Sequence, residues 1–422
     1  MSQLTPNRRR VLFSAALGVT VIALAKPAAA EQAPIKVGLL MTYQGPTAIL
    51  ARYADRGARL AIEEANKTGG AQGRPIEIVG YDTEGKPDRA GVLFRRLAEE
   101  DKVSAVIGPD GIYVTLGMSS IPAQVKVISV ASPGGYEYIE PKDRSYLVTG
   151  WAASGFSATL VLAYLKDKYK IKRIGILSPA DTIGQKTTDE FVGTAKMLGL
   201  EVAKVVSQPA SDRDLLPSLR QLASVTPKID AVGIYGSGPF GTIAVNQTEL
   251  AGLDVPIAYV GGNIIPELIK DIGPDVGKRF FVSSARVAAP ATLPKTDPYY
   301  ERIQKFVAAY TAKYNEAPTY PSAVGYDMAL TVIDALKVVG PEPEKVREYI
   351  IGGQKGLVGV QGVTFNRTPK DGYGTDQTDN IVTTIENGKF VFKGYLGESF
   401  KNLGVTQETV HKLMREHHLL LD

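Results

Sequence analysis

The chain has 422 residues, 44% hydrophobic and 22% charged, with 48 Lys and Arg against 44 Asp and Glu. That length and balance fit a globular protein with one large core or two domain-sized ones, and exclude disorder and fibrous repeats. With no Cys, and with His411, His417 and His418 all near the C-terminus, the body offers no disulfide, thiolate nucleophile, cysteine zinc site or histidine triad.

The first thirty residues hold Arg8, Arg9, Arg10 and Lys26 and no acid, so they account for the whole formal charge of +4. Asn7-Arg8-Arg9-Arg10-Val11-Leu12 leads into an apolar run to Ala25 and then Ala28-Ala29-Ala30. This is the order of a basic region, an apolar region and a small-residue cleavage site, and the paired arginines resemble a twin-arginine export signal. The run is shorter than the roughly 20 apolar residues needed to span a bilayer. Residues 1–30 therefore read as a signal peptide cleaved near Ala30, which places the mature chain in the periplasm. A neutral mature chain carries no electrostatic footprint for nucleic acid.

From Ile35 onward, β-branched runs alternate with amphipathic segments. Ile35 to Leu40 reads as a buried strand; Ala54, Ala58, Ala61, Ile62 and Ala65 then recur at helical spacing until Gly69-Gly70. Pro75 to Tyr81, Ala105 to Ile107 and Val127 to Ala131 read as further strands, each followed by a turn and a helical stretch. This alternation predicts a parallel sheet covered on both faces. A second series of strands follows Trp151: Arg173 to Leu177, Glu201 to Val206, Ala231 to Tyr235, Ile257 to Val260 and Phe280 to Ser283. In both series an edge strand leads to an Asp-Arg pair, Asp88-Arg89 or Asp212-Arg213, and then to a strand ending at Gly108 or Gly236. Two similar α/β units follow from that likeness.

Tyr299 to Tyr314 and Ser322 to Val339 read as helices and Lys389 to Tyr395 as a late strand. These elements are too few for a third core, so they complete the first two, with crossovers near Ser284 to Arg286 and Thr364 to Asn366. The expected division is 31–150 with 285–364 for the first lobe, 151–284 with 365–400 for the second, and 401–422 for a helical tail. In that tail Val410, Leu413, Met414, His417 and Leu421 recur at near-helical spacing, a pattern that packs on the protein's own surface.

Ligands of open parallel sheets bind beyond the carboxyl ends of the strands. Those positions here are Thr42-Tyr43-Gln44, Asp110 to Tyr113, Ser132 to Tyr136, Pro179 to Ile183, Gly236 to Phe240 and Gly261 to Asn263. They combine glycine turns and helix starts, which offer backbone N–H groups, with tyrosines and Phe240. For each tyrosine, packing in a core is the competing reading. Gly236-Ser237-Gly238-Pro239-Phe240-Gly241 fits G-x-G-x-x-G after a strand, the pattern of an exported nucleotide-dependent oxidoreductase. No carboxylate follows Val260 to close on a ribose, so a tight strand-to-helix turn is the favoured reading. No cofactor or metal is expected, and no chemistry is assigned.

Several segments together resemble the branched-chain amino acid (Leu/Ile/Val-binding) type of extracytoplasmic solute-binding protein of ABC transporters, with the type I periplasmic binding fold. They are Ile35-Lys36-Val37-Gly38-Leu39-Leu40 with Gly45-Pro46, Gly57 to Asn66, Gly73-Arg74-Pro75-Ile76-Glu77, Ala105 to Pro109, Ser132-Pro133, Gly184-Gln185 and Gly325-Tyr326-Asp327. The resemblance covers Ile35 to Tyr395. It implies two Rossmann-like lobes with parallel sheets, joined by a multi-strand hinge, closing on a small solute that passes to the permease subunits of an ABC importer.

The family's amino-acid-binding residues carry over poorly. Where the resemblance implies a serine after Gly108, this chain has Gly111-Ile112; the hydroxyl expected after Pro133 is Tyr136; the acid for the ligand ammonium falls near Asn263; and the aromatic before Gly184 is Ile183. A buried ammonium without a carboxylate costs several kcal/mol. These departures point to a small organic acid with an aromatic or hydrophobic body. Asp110 leaves amino-acid binding open, because it can replace the missing acid. Tyr43, Gln44, Leu50, Asp110, Ile112, Tyr113, Ser132, Gly134 and Tyr136 are expected on the first lobe's face. Ile183, Tyr235, Ser237, Phe240 and Asn263 are expected on the second. Backbone amides with Ser132 and Asn263 are the expected carboxylate partners, with Arg286 beside a crossover as another. A ligand sensor of the same fold is a further alternative.

Overall fold

The computed structural model describes residues 1–3, 33–45, 47–132, 136–152, 158–236, 239–261, 264–376 and 378–416. Met1–Ala33 separates from Pro34–Asp422, and every described strand and helix lies in the second of these units. The leader and the end of the tail, with His417 and Leu421, lie outside the described residues.

Two sheets organise the chain. The first contains β1 (Ile35–Met41), β2 (Ile76–Asp82), β3 (Val106–Asp110), β4 (Ser129–Ser132) and β5 (Leu147–Thr149), in the order β2-β1-β3-β4-β5. Every pairing in it is parallel. The second begins with β6 (Arg173–Pro179), β7 (Glu201–Gln208), β8 (Ala231–Tyr235), β9 (Ile257–Val260) and β10 (Phe280–Ser284). Next in the chain, β11 (Leu357–Val358) and β12 (Thr364–Phe365) pair only with each other. Then β13 (Ile381–Glu386) and β14 (Lys389–Tyr395) join one edge of the second sheet, whose order is β14-β13-β10-β9-β8-β6-β7. Within the parallel part the order β7-β6-β8-β9-β10 repeats that of the first sheet, so the likeness between the two sequence series is a likeness of topology.

The purely parallel expectation fails at β13 and β14, which run antiparallel to their neighbours. Their connection is a two-residue turn at Asn387 and Gly388, both at positive φ. A hairpin that short can only reverse the chain.

Helix Ala48–Lys67 buries Ala51, Ala54, Gly57, Ala58, Ala61 and Ala65 against helix Tyr320–Val339. Small residues set their separation. A Cβ on Gly57 would collide with the Ser322 carbonyl, and one on Gly325 with the Ala54 carbonyl. Helix Tyr320–Val339 starts at a capping box between Thr319 and Ser322. At the C-terminus the expected boundary at residue 401 falls inside helix Leu396–Leu403. Helix Gln407–Glu416 buries Val410, Leu413 and Met414, in one core with residues of helix Thr182–Met197 such as Phe191 and Ala195.

The chain passes between the sheets after β5, after β10 and after β12. Hydrogen bonds stitch these passages together. Gln361 accepts from Ala152 N at 3.0 Å and donates to Gly150 O at 2.8 Å and to Asp327 at 2.9 Å. Arg367 donates to Thr149 O at 2.8 Å, and Thr375 to Ala152 O at 2.8 Å.

Candidate functional site

In a sheet of order 2-1-3-4-5 the crevice opens where the strand order reverses, between the first and third strands. In the first sheet that point lies between β1 and β3, and there Thr42 N donates to Asp110 Oδ1 at 2.6 Å. In the second it lies between β6 and β8, where β8 ends at Tyr235. Thr42, Asp110 and Tyr235 all line one cavity of about 230 Å³ between the two sheets.

The first lobe contributes Leu50 and Ala54 from helix Ala48–Lys67, and Ile112, Tyr113 and Val114 from the start of helix Ile112–Met118 after β3. It also contributes Ser132 at the end of β4 and Tyr320, and Trp151 joins them from the passage that follows β5. The second lobe contributes Thr187, Tyr235, Val260, Gly261, Ile264, Val282 and Ser283. Trp151 is fixed on two sides. Its Nε1 donates to Ser132 Oγ at 2.8 Å, and its ring stands edge-on to Tyr320 with centroids 4.8 Å apart. The Ser283 hydroxyl is buried and has no hydrogen-bond partner among the described residues.

Asp110 is 6% exposed, and burial lifts its carboxyl from the ordinary value to about 6, against the hydrogen bonds from Thr42 that favour ionisation. Burial and the neighbouring Asp181 push the Tyr113 phenol up to about 12.

Of the residues expected at the site, Leu50, Asp110, Ile112, Tyr113, Ser132 and Tyr235 meet at the cavity. Gly134, Ser237 and Asn263 lie outside the described residues. The others are placed elsewhere. Tyr43 points to solvent, donating to Asp55 at 2.8 Å, and Gln44 donates to Asp82 at 2.9 Å. Tyr136 is a core residue. Its hydroxyl donates to Leu147 O at 3.0 Å and its ring packs edge-on against Tyr373. Phe240 and Ile183 are buried and do not reach the cavity wall.

Arg286 is spoken for by the passages between the lobes. It donates to Asp297 at 2.8 Å, to Gly362 O at 2.9 Å and to Asp379 at 2.7 Å. With five donors and these fixed acceptors, its guanidinium is a structural tie.

Gly236 and Gly241 are closely packed. Tyr259 Oη donates to Gly236 O at 2.7 Å, and a Cβ on Gly241 would collide with that hydroxyl. A Cβ on Gly261 would collide with the Gly236 carbonyl.

The strand-end reading missed Trp151, Tyr320, Thr187 and Ser283. Trp151 follows β5, a three-residue strand too short to register as a periodic run; counting it as a fifth strand would have placed its C-terminal turn at the site. Tyr320 was reachable through Thr319 and Ser322, whose spacing marks a helix start. Thr187 lies a turn into its helix, away from any strand tip, whereas Ser283 closes the expected strand Phe280 to Ser283 and was reachable by the same strand-end rule.

Two lobes of one strand order, enclosing a cavity between facing strand ends, define a two-lobed solute-binding protein. The chain belongs to the periplasmic binding protein family, whose pattern it matches over residues 34–383. It is 25% identical over 324 residues to the leucine-, isoleucine-, valine-, threonine- and alanine-binding protein of Pseudomonas aeruginosa, covering 75% of this chain and 82% of that protein. Among solved structures it is similar to the branched-chain amino acid transporter substrate binding protein LivJ of Streptococcus pneumoniae in complex with isoleucine, with a TM-score of 0.71, 22% identity, and coverage of 86% of this chain and 99% of that one. A solute-binding protein of an ABC transporter from Rhodopseudomonas palustris, in complex with benzoate, gives a TM-score of 0.69 at 20% identity, covering 86% of this chain and 96% of that one. These relatives are solute-binding proteins, not enzymes. Among the described residues no helix is long and apolar enough to cross a membrane.

Proposed function

We propose that this chain is the exported solute-binding component of an ABC importer, and that its solute is a small organic acid with an aromatic or hydrophobic body. The observation that carries the reading is the cavity wall. Trp151, Tyr113, Tyr235 and Tyr320 surround it with aliphatic side chains from both lobes, and Asp110 is the single carboxylate among its lining residues. Such a wall holds an apolar body by area and fixes its orientation with a few polar groups. On the second lobe's wall the hydroxyl-bearing residues Thr187, Tyr235 and Ser283 are the polar side chains beside which a carboxylate would lie. The structural neighbour in complex with benzoate supports a solute of this kind. Release to permease subunits and residence in the periplasm, after cleavage near Ala30, complete the reading.

A second reading, an amino acid, is favoured by Asp110 and by the amino-acid-binding relatives. Mass spectrometry of solute co-purified with gently prepared protein, followed by calorimetry with benzoate-type acids and with leucine, separates the two. Tight binding of leucine with none of the acids would overturn the organic-acid reading.

A further inference from the structure

Asp110 sits at the carboxyl end of β3, at the reversal point of its sheet and in the cavity wall. Its Oδ1 accepts from Thr42 N at 2.6 Å, and the Thr42 hydroxyl, which lies 2.8 Å from that of Thr83, also favours its ionised form. Among the described residues no Lys, Arg or His forms an ion pair with it, and the charged group that acts on it is Asp82, of the same sign. None of the lining residues is basic. The chain segments near the strand ends that lie outside the described residues, 133–135, 153–157, 237–238 and 262–263, contain no Lys, Arg or His in their sequence either. Among the described residues no cation is paired with this carboxylate.

A buried carboxylate left facing only an apolar body loses its hydration without recompense. A solute donor can take up the acceptor capacity that the bonds from Thr42 leave open. A solute carboxylate placed beside Asp110 would add like charge, so it belongs toward the second lobe, where Ser283 and Thr187 lie. We propose that Asp110 is a specificity-determining residue that accepts a hydrogen bond from a hydroxyl group carried by the solute in addition to its carboxylate. This rests on the reading of the cavity as an organic-acid site, and it narrows the class to hydroxy-substituted acids with an apolar body.

Matched pairs test it by calorimetry: 4-hydroxybenzoate against benzoate, and 4-hydroxyphenylacetate against phenylacetate. The members of each pair differ only by the hydroxyl. We expect the donor-bearing member of at least one pair to bind the wild-type chain roughly tenfold tighter or more, because a site built to pair a polar group rejects the analogue that lacks it. In Asp110→Asn, with Oδ1 still held by Thr42 N, an amide NH₂ replaces the free acceptor, and the preference should vanish or reverse. Donor-free members binding the wild-type chain as tightly as their partners would overturn the inference alone. So would a preference that survives in Asp110→Asn. The wild-type comparison decides even where the variant does not fold. Failure of every probe to bind would overturn the organic-acid reading and this inference with it.

Discussion

Tyr113 Oη donates to Asp181 Oδ2 at 3.1 Å, joining helix Ile112–Met118 of the first lobe to the N-cap of helix Thr182–Met197 in the second. Asp181 Oδ1 meanwhile accepts from Gly184 N at 2.8 Å, so the same carboxylate caps its helix and holds the opposite lobe. Two further bonds run in the same sense, from Tyr53 to Glu267 at 3.1 Å and from Tyr138 to Glu190 at 3.1 Å. In each, a first-lobe phenol meets a second-lobe carboxyl. These bonds favour the closed arrangement, and a closed population raises apparent affinity for any solute that both lobes touch.

Removing one of them has a measurable consequence. Tyr113 is about half exposed, so its bond is worth no more than about 1 kcal/mol, well below a buried bond to a charged group. Tyr113→Phe should weaken solute binding by roughly two- to fivefold while leaving the melting temperature unchanged. Scattering from the solute-free variant should give a larger radius of gyration than the wild type. Unchanged affinity and radius would mean that the phenol–carboxylate bond does not bias closure.

Arg286 makes the opposite case, a strong effect on stability through residues remote from the solute. Its partner Asp297 has a fully buried side chain, and Tyr395 Oη also donates to it at 2.9 Å. Arg286→Met would leave that carboxylate buried without its cation, at a cost of about 3–5 kcal/mol. Denaturant melts should show the midpoint fall accordingly. If Arg286 instead held a solute carboxylate, the variant would lose affinity at unchanged stability, and calorimetry beside the melts tells the outcomes apart.

The sequence pattern that places Arg286 beside a crossover is legible; that its charge is consumed there is not, because Asp297 and Asp379 come from separate passages. The same limit explains the rest of the site. Asp110, Ile112, Tyr113, Ser132 and Tyr235 line the cavity because strand ends follow from periodicity and a parallel sheet puts its crevice at those ends, whereas Leu50 reaches it from helix Ala48–Lys67. Tyr136 was misplaced because a tyrosine after a strand serves equally well as a core residue, and the choice depends on whether a distant acceptor, here Leu147 O, comes within reach. β13 escaped because an antiparallel addition to a parallel sheet is set by the hairpin that precedes β14, whereas the two repeated strand orders announced themselves twice.

Trp151 offers a direct reporter, since it is the chain's single tryptophan and lines the cavity. Solute entering beside it replaces water against its ring while its Nε1 stays bound to Ser132. Titration with a binding solute should therefore shift its emission to the blue and saturate at one solute per chain, with the same midpoint that calorimetry gives. Emission that stays constant through a calorimetric titration would place the solute elsewhere.

The last prediction concerns pH and carries its sign from burial. Asp110 and Asp327 are both buried carboxyls raised from an ordinary value near 3.8 to about 6, in each case chiefly by desolvation. In the window between about pH 4 and 6 the folded chain therefore binds more protons at these sites than the unfolded chain does. Their contribution to stability is fully present below the unfolded value and declines as pH rises through the folded one. Asp110→Asn removes one such group and keeps an acceptor for Thr42 N. It should leave stability at pH 4 close to that of the wild type and raise it at pH 7.5 by on the order of 1–3 kcal/mol. Urea melts at the two pH values measure the difference. A variant less stable than the wild type at pH 7.5 would show that the hydrogen bonds from Thr42 outweigh desolvation. The expected gain means that the wild-type chain retains, at neutral pH, a charge in its cavity that its fold alone does not favour, as suits a residue kept for the solute.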